Sequence, residues 1–391
     1  MKARTLGFSG MLLATMALST LTFFALAVAA SELQDEFGIT KFEIGLLGAV
    51  NTLVGGLFAP TAGRLSDQLG GKVSVGMTLG ISATSAATLA LAPTYILLLA
   101  AAAFAGFAQG WGNPACNKAI ATGIEASRRG ITTGIKQSGV QAGVFLAGFL
   151  VPWMIDVSGW RSSMWLVAVL SLISLLGLPL ITELSSDTVV ANPASDSQVA
   201  EQGNGRLPPF VTQVAIYGFL LGLVGGGLGR FLPLFAEEEV GLSLANAGRV
   251  FGLQGLVAIP CRLASGVALD RGVSARKLLL WMGVGGAGAI ALILAATEAS
   301  SLLWIGTIIG GMTLGSWNTA ANLSMIRQPE SGRATGRLIL GFLIGLTIGG
   351  PLVGWSIDSF NSYSPAWIAS AVIALLGTAA VWQRTEGEVA L

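Results

Sequence analysis

Residues 130–156 read GITTGIKQSGVQAGVFLAGFLVPWMID, and residues 332–358 read GRATGRLILGFLIGLTIGGPLVGWSID. At an offset of 202 they share Gly130/Gly332, Thr133/Thr335, Gly134/Gly336, Gly139/Gly341, Gly143/Gly345, Gly148/Gly350, Leu150/Leu352, Val151/Val353, Trp153/Trp355, Ile155/Ile357 and Asp156/Asp358. Apolar matches arise by chance in a chain that is 53% hydrophobic. Repeated Gly, Trp and Asp positions do not arise so readily, and they mark an internal duplication.

The duplication extends outward. At an offset of 203, Gly38-Ile39-Thr40 matches Gly241-Leu242-Ser243, Gly45 matches Gly248, Asn51 matches Gln254, Gly63 matches Gly266 and Asp67 matches Asp270. At an offset of 205, Asn113 and Asn117 match Asn318 and Asn322. Small drifts in offset are what loop insertions produce.

Composition says what the repeated unit is made of. Of 391 residues only 10% are charged, against about 25% in a soluble domain. Apolar stretches of about 20 residues suffice to cross a bilayer, and the chain divides into twelve. They lie near 8–30, 42–62, 73–92, 95–117, 131–154, 162–182, 210–235, 245–266, 278–296, 301–325, 335–356 and 366–383. Lys2 and Arg4 ahead of the first stretch, and Ala27-Val28-Ala29-Ala30-Ser31 at its end, resemble a secretory signal. The apolar run exceeds an ordinary signal core, so it reads as the first membrane helix. The 54 glycines suit close helix–helix approach in lipid. The expected fold is all-α and integral to the membrane: twelve transmembrane helices as two pseudo-symmetric six-helix bundles.

Residues 183–208 form the one long polar connection. They read as a flexible linker between an N-terminal bundle (1–182) and a C-terminal bundle (209–391). Matched helices are six apart, so they run in the same direction. Such parallel repeats suit one half rocking against the other around a central site. With the N-terminus inside, sixteen Lys and Arg residues fall at inner ends and three, Lys41, Arg161 and Arg249, at outer ends. The positive-inside rule then places both termini and the linker in the cytoplasm of a bacterial inner membrane.

Several chemistries are excluded or disfavoured. A net charge of +1 gives no footprint for nucleic acid. The chain has no His, which removes imidazole bases and His metal ligands. Cys116 and Cys261 have no metal spacing and sit in apolar segments. No metal, cofactor or catalytic residue is expected. The expected partners are a small-molecule substrate and the lipid bilayer, with the protein a monomer.

Polar groups inside spans cost energy and should face a cavity or a partner. Asn51 and Gln254 fall near the middle of the second and eighth spans. Gln109, Asn113 and Asn117 share one face of the fourth, answered by Asn318 and Asn322 beside Trp317 in the tenth. Gln137 and Gln141 share a face of the fifth. These amides are candidate substrate contacts, with helix–helix hydrogen bonding as the alternative. Among cations, Lys118, Lys136 and Arg337 read as snorkelling toward the inner interface. Arg230 follows Gly225-Gly226-Gly227-Leu228-Gly229, which predicts an irregular helix at a cavity. No Asp or Glu falls at mid-depth, and an unpaired intramembrane cation favours an anionic ligand.

Between the second and third spans the chain reads Gly63-Arg64-Leu65-Ser66-Asp67-Gln68-Leu69-Gly70-Gly71-Lys72. A degenerate copy, Gly266-Val267-Ala268-Leu269-Asp270-Arg271-Gly272, follows the eighth span, and Gly159-Trp160-Arg161 precedes the sixth. With twelve spans and a central linker, these residues resemble the major facilitator superfamily of secondary transporters. Gln68 and Gly71 stand where that family usually has basic residues. The resemblance implies an inner gate latched by Gly63, Asp67, Arg128 and Arg129, with Asp270, Arg271 and Arg262 as counterparts. It implies secondary transport by alternating access but no particular substrate; the unpaired intramembrane cations point to a small organic anion. Proton-coupled efflux of amphipathic drugs is the alternative, as is a transporter-like membrane sensor. The family's antiporter signature in the fifth helix is incomplete: Gly139, Gly143 and Gly148 are present, but Val144 replaces a proline and Ala147 a glycine.

Overall fold

A computed structural model describes residues 3–181, 207–328 and 330–383. The expected linker lies outside the described residues except for Leu207 and Pro208, as do Lys2, Arg206 and Arg384. Nine described helices are long and apolar enough to cross a membrane. They are α1 (Ala3–Val28), α3 (Lys41–Leu69), α4 (Gly71–Ala90), α5 (Tyr95–Gly123), α6 (Ala126–Ser158), α8 (Pro209–Glu238), α9 (Leu244–Asp270), α10 (Ala275–Leu294) and α13 (Ser331–Phe360). A short helix, α2 (Ala30–Phe37), follows α1. Two apolar helices are shorter: α7 (Trp160–Leu175) and α14 (Ser364–Ala380).

The expected tenth span is not one helix. It is α11 (Ser300–Met312) and α12 (Trp317–Ile326), interrupted at residues 313–316. The interruption is partly buried, with Ser316 fully so, and hydroxyls bond back to the preceding turn: Thr313 Oγ1 donates to Ile309 O and Ser316 Oγ to Gly311 O. A Cβ on Gly315 would lie 2.9 Å from the Ala258 side chain, so the break presses on α9. Broken helices are tolerated in membranes only where protein or water meets their polar groups. The irregularity expected before Arg230 is absent, because α8 runs unbroken through Gly225–Gly229. Gly226 and Gly227 serve packing instead, together with Gly222 one turn earlier. A Cβ on Gly222 would stand 3.0 Å from Leu346 N, and one on Gly226 3.1 Å from Gly350 N, so α8 lies backbone to backbone on α13.

Packing follows the repeat. In the first half α1 packs on α6, α3 and α4 on α5, and α7 on α1 and α4. In the second half the matched helices do the same: α8 on α13, α9 and α10 on α11, and α14 on α8 and α10. Between halves α3 meets α13, its exchange partner α9 meets α6, and α1 meets α8.

We call the end carrying Lys41, Glu238 and Asp358 the outer end, following the charge expectation. There the halves touch. A Cβ on Gly45 would come within 2.6 Å of the Gly350 carbonyl, and Gly148 and Gly248 are equally close. Thr40 and Glu43 form a capping box at the start of α3. The Asp358 carboxylate accepts from the Lys41 and Phe42 amides of that helix at 3.1 and 2.7 Å. Lys41 pairs with Glu238 at 3.0 Å, and Ser31 donates to Glu237. Toward the inner end four of the repeat-matched glycines stand clear: a Cβ on Gly63, Gly134, Gly266 or Gly336 would meet nothing within 4 Å.

Candidate functional site

Arg230 occupies the seam between the halves. The unbroken α8 and its glycine face against α13 carry the side chain toward α1 and α3. Its guanidinium lies 4.6 Å from the Phe23 ring centroid, and Gly48 leaves the space it fills, since a Cβ there would collide with it. Arg230 is 1% exposed, and Nη1 and Nη2 have no hydrogen-bond partner among the described residues. Leaving a buried charge unpaired costs about 3–5 kcal/mol. A desolvated cation–π contact returns roughly 2 kcal/mol. The ring therefore does not offset the cost, and the group is left short of an anion.

Lys136 is the second buried cation, also 1% exposed. It does not snorkel. Its ammonium donates to Asn113 Oδ1 at 2.9 Å and Asn117 Oδ1 at 2.7 Å, two residues one turn apart on α5. Both asparagines are exposed although they lie within a span. A polar amide exposed at that depth belongs to a wet cavity rather than lipid. Lys118, by contrast, pairs with Asp67 at 3.0 Å, and Arg337 is exposed.

The remaining amides divide. Asn51 is buried and donates to Ala102 O at 2.9 Å, binding α3 to α5, while its Oδ1 has no partner. Gln109 lies along the same seam beside Gly55, with Oε1 buried and unpartnered. Gln141 is buried where α6 meets Gly255 of α9, and Gln137 is exposed. Gln254 is partly buried near Gly310, and Asn322 donates to Asn318 O one turn back. Trp317 is not a lining residue. It is buried edge-on against Tyr217 and Phe342 in the core of the second half.

The residues expected at an inner gate pair differently from expectation. Asp67 takes Lys118 rather than Arg128 or Arg129. Arg128 reaches Glu125 and Thr5, and Arg129 donates to the Ile124 and Ala121 carbonyls. Asp270 takes Arg327 at 3.3 Å, and Arg271 is exposed. Arg262 is not beside Asp270 in any bond; its Nε donates to Gly315 O in the α11–α12 break. Each aspartate thus holds a cation from the matched helix of its own half. Gly63 stands free, whereas Gly71 is needed for contact, because a Cβ there would sit 2.5 Å from Ala119 N.

A sequence profile of the Major Facilitator Superfamily matches residues 12–329. The chain belongs to the major facilitator superfamily. It is 24% identical to the hexuronate transporter of Escherichia coli (strain K12), over 96% of this chain and 92% of that protein. It is 26% identical to the gallate transporter of Pseudomonas putida, over 85% and 81%. Its fold is similar to the crystal structure of a bacterial homolog of the human lysosomal transporter Spinster, inward-facing and unoccupied. The TM-score is 0.80 at 16% identity, covering 97% of both chains.

For this superfamily member, Trp160 and Arg161 have a visible task. Both bond the Glu36 carboxylate, clamping α2 to the start of α7. Three functional neighbours escaped the sequence reading: Phe23, Gly48 and the polar setting of Lys136. The first two carry no sequence signal, since they meet Arg230 only through the fold. For Lys136 the signal was the Asn113/Asn117 spacing, which the structure turns toward it.

Proposed function

We propose that this superfamily member carries a small organic anion across the bacterial cytoplasmic membrane by alternating access. The scaffold is twelve crossings in two six-helix bundles, 1–182 and 209–391, joined by a cytoplasmic linker, with both termini cytoplasmic. The packing list that recurs in each half, with α3–α13 and α6–α9 exchanging under the repeat, supports this architecture. To the nine long helices the short α7 and α14 add the tenth and eleventh crossings, and the broken α11–α12 pair is the twelfth.

The observation that carries the anion assignment is Arg230: buried, unpaired, and wedged between halves. Described Asp and Glu side chains lie near helix ends or in loops and are not its partners. The contacts that bury Arg230, Phe23 and Gly48, belong to the opposite half. Parting the outer ends removes those contacts and opens the guanidinium to the outside, where a carboxylate supplies the missing charge. Closing the outer ends draws the ion pair into the seam, and parting the inner ends releases the solute. The gate aspartates Asp67 and Asp270 and their cations control that inner end. The hexuronate and gallate transporters named above have carboxylate cargoes, which agrees with this reading.

Ligand-induced stabilisation of the purified protein tests it. A ligand at 100 times its Kd stabilises by about 2.7 kcal/mol, enough to raise the melting temperature by several degrees. Glucuronate or gallate should do so where glucose and cationic amphiphiles do not. Stabilisation by the cationic compounds alone would refute the assignment.

A further inference from the structure

Lys136 cannot share a ligand with Arg230. Arg230 is eight residues from the outer end of α8, and Lys136 ten residues from the inner end of α6. At 1.5 Å per residue in helices of 30 and 33 residues, the two sit roughly 15 Å apart in depth. That exceeds a six-carbon sugar acid. Lys136 is also on the accessible side, since the outer ends are packed and its asparagines are exposed.

Its ammonium has no described acidic partner, only the two amide oxygens. An ammonium has three N–H donors, so one remains. Each asparagine turns its carbonyl to the lysine and thereby holds its NH2 on the other branch of the amide. The group therefore offers one full positive charge and a set of outward donors, with no free acceptor opposing an anion. This is the donor set of a carboxylate site, in which one oxygen takes the ammonium and the other an asparagine NH2. One cation flanked by neutral amides balances one negative charge, which favours a carboxylate over a phosphate dianion.

We propose that Lys136, Asn113 and Asn117 form a second, inward-side carboxylate site, from which the anion leaves toward the cytoplasm. The proposal rests on the anion-transport reading and adds a named exit site to it. Two cations in series also explain how the solute's charge stays compensated as the protein passes from one open state to the other.

The test is equilibrium binding of radiolabelled glucuronate and glucose to the purified full-length chain. The two sugars differ only where one has a carboxylate and the other a hydroxymethyl group. In the wild type glucuronate binds tighter than glucose. In Lys136→Gln that preference falls by roughly tenfold to a hundredfold, the range for losing a hydrogen bond to a charged group. Lys136→Arg keeps most of it. Asn117→Asp, which places an internal carboxylate on the ammonium, abolishes it in a protein that retains the lysine. A purely structural role for Lys136 changes both sugars together and leaves their ratio alone. A wild-type ratio in Lys136→Gln or in Asn117→Asp overturns the proposal while leaving the transport reading intact. If the wild type itself shows no preference for glucuronate or gallate over glucose, the anion reading falls and this site falls with it.

Discussion

Gly148 of α6 and Gly248 of α9 touch backbone to backbone: a Cβ on either would meet the carbonyl oxygen of the other. The repeat pairs Gly148 with Gly350 and Gly248 with Gly45, and Gly45 and Gly350 touch in the same way across the other seam. Two symmetry-related glycine contacts therefore hold the outer ends together. Gly148→Leu should part them, since overpacking a tight contact costs about 1–3 kcal/mol. Labelling of a cysteine placed at Ser31 by a membrane-impermeant maleimide should then rise by several-fold from outside. Unchanged labelling in a protein that still folds would mean that another contact sets the closed state.

Asp358 adds a charged device to that end. Its carboxylate accepts from two amides in the first turn of α3, where the helix dipole favours an anion. Its repeat partner Asp156 is exposed, and at the start of α9 Ser243 repeats the cap that Thr40 gives α3. The device therefore works on one seam only. Asp358→Asn should cost the closed outer end about 0.5–2 kcal/mol, whereas Asp156→Asn should cost nothing measurable. Comparing cysteine labelling at Ser31 in the two variants checks the asymmetry.

Glu36 makes the α2–α7 clamp sensitive to pH. Its hydrogen bond from Arg161 holds the carboxyl below its ordinary value of 4.5, with burial opposing and Trp160 assisting. A depressed folded-state pKa means stability that is present above the unfolded value and lost as pH falls through the folded one. The melting-temperature gap between wild type and Glu36→Gln should therefore persist at neutral pH and close only in acid, below the ordinary carboxylate range. A gap that closes between pH 6 and 8 would show that another group is titrating.

Gly48 is predicted to be intolerant of the smallest side chain. The Cβ of Gly48→Ala would displace the Arg230 guanidinium, so uptake of the anion should fall by roughly tenfold or more, in line with about 1.4 kcal/mol per decade. Gly63→Ala, where a Cβ meets nothing, should leave the fold undisturbed, as judged by its melting temperature.

The fold was legible because lipid imposes strong rules. Apolar length marked the spanning segments, and four of the glycines that the repeat singled out, Gly45, Gly148, Gly248 and Gly350, are contacts between halves. Arg230 was legible for a similar reason, since an intramembrane cation without an acid in reach stands out in the sequence. The break at residues 313–316 was not, because Thr313 and Ser316 hide it in an otherwise apolar run. Nor were the aspartate partners: Lys118 and Arg327 come from helices whose rotation no linear pattern specifies. Lys136 was misread because position along a helix says how deep a lysine lies, not whether two amides wait beside it. Trp317 was misread because it flanks Asn318 in sequence yet faces the opposite way, into the aromatic core.

Arg230 as the counter-charge of the transported anion is the claim that the rest of this account serves. The most direct measurement is uptake of labelled glucuronate and glucose into proteoliposomes by wild type and Arg230→Gln. Glucuronate uptake is expected in the wild type and reduced at least a hundredfold in the variant, with glucose uptake changed far less. Glucuronate uptake undiminished in Arg230→Gln would contradict it.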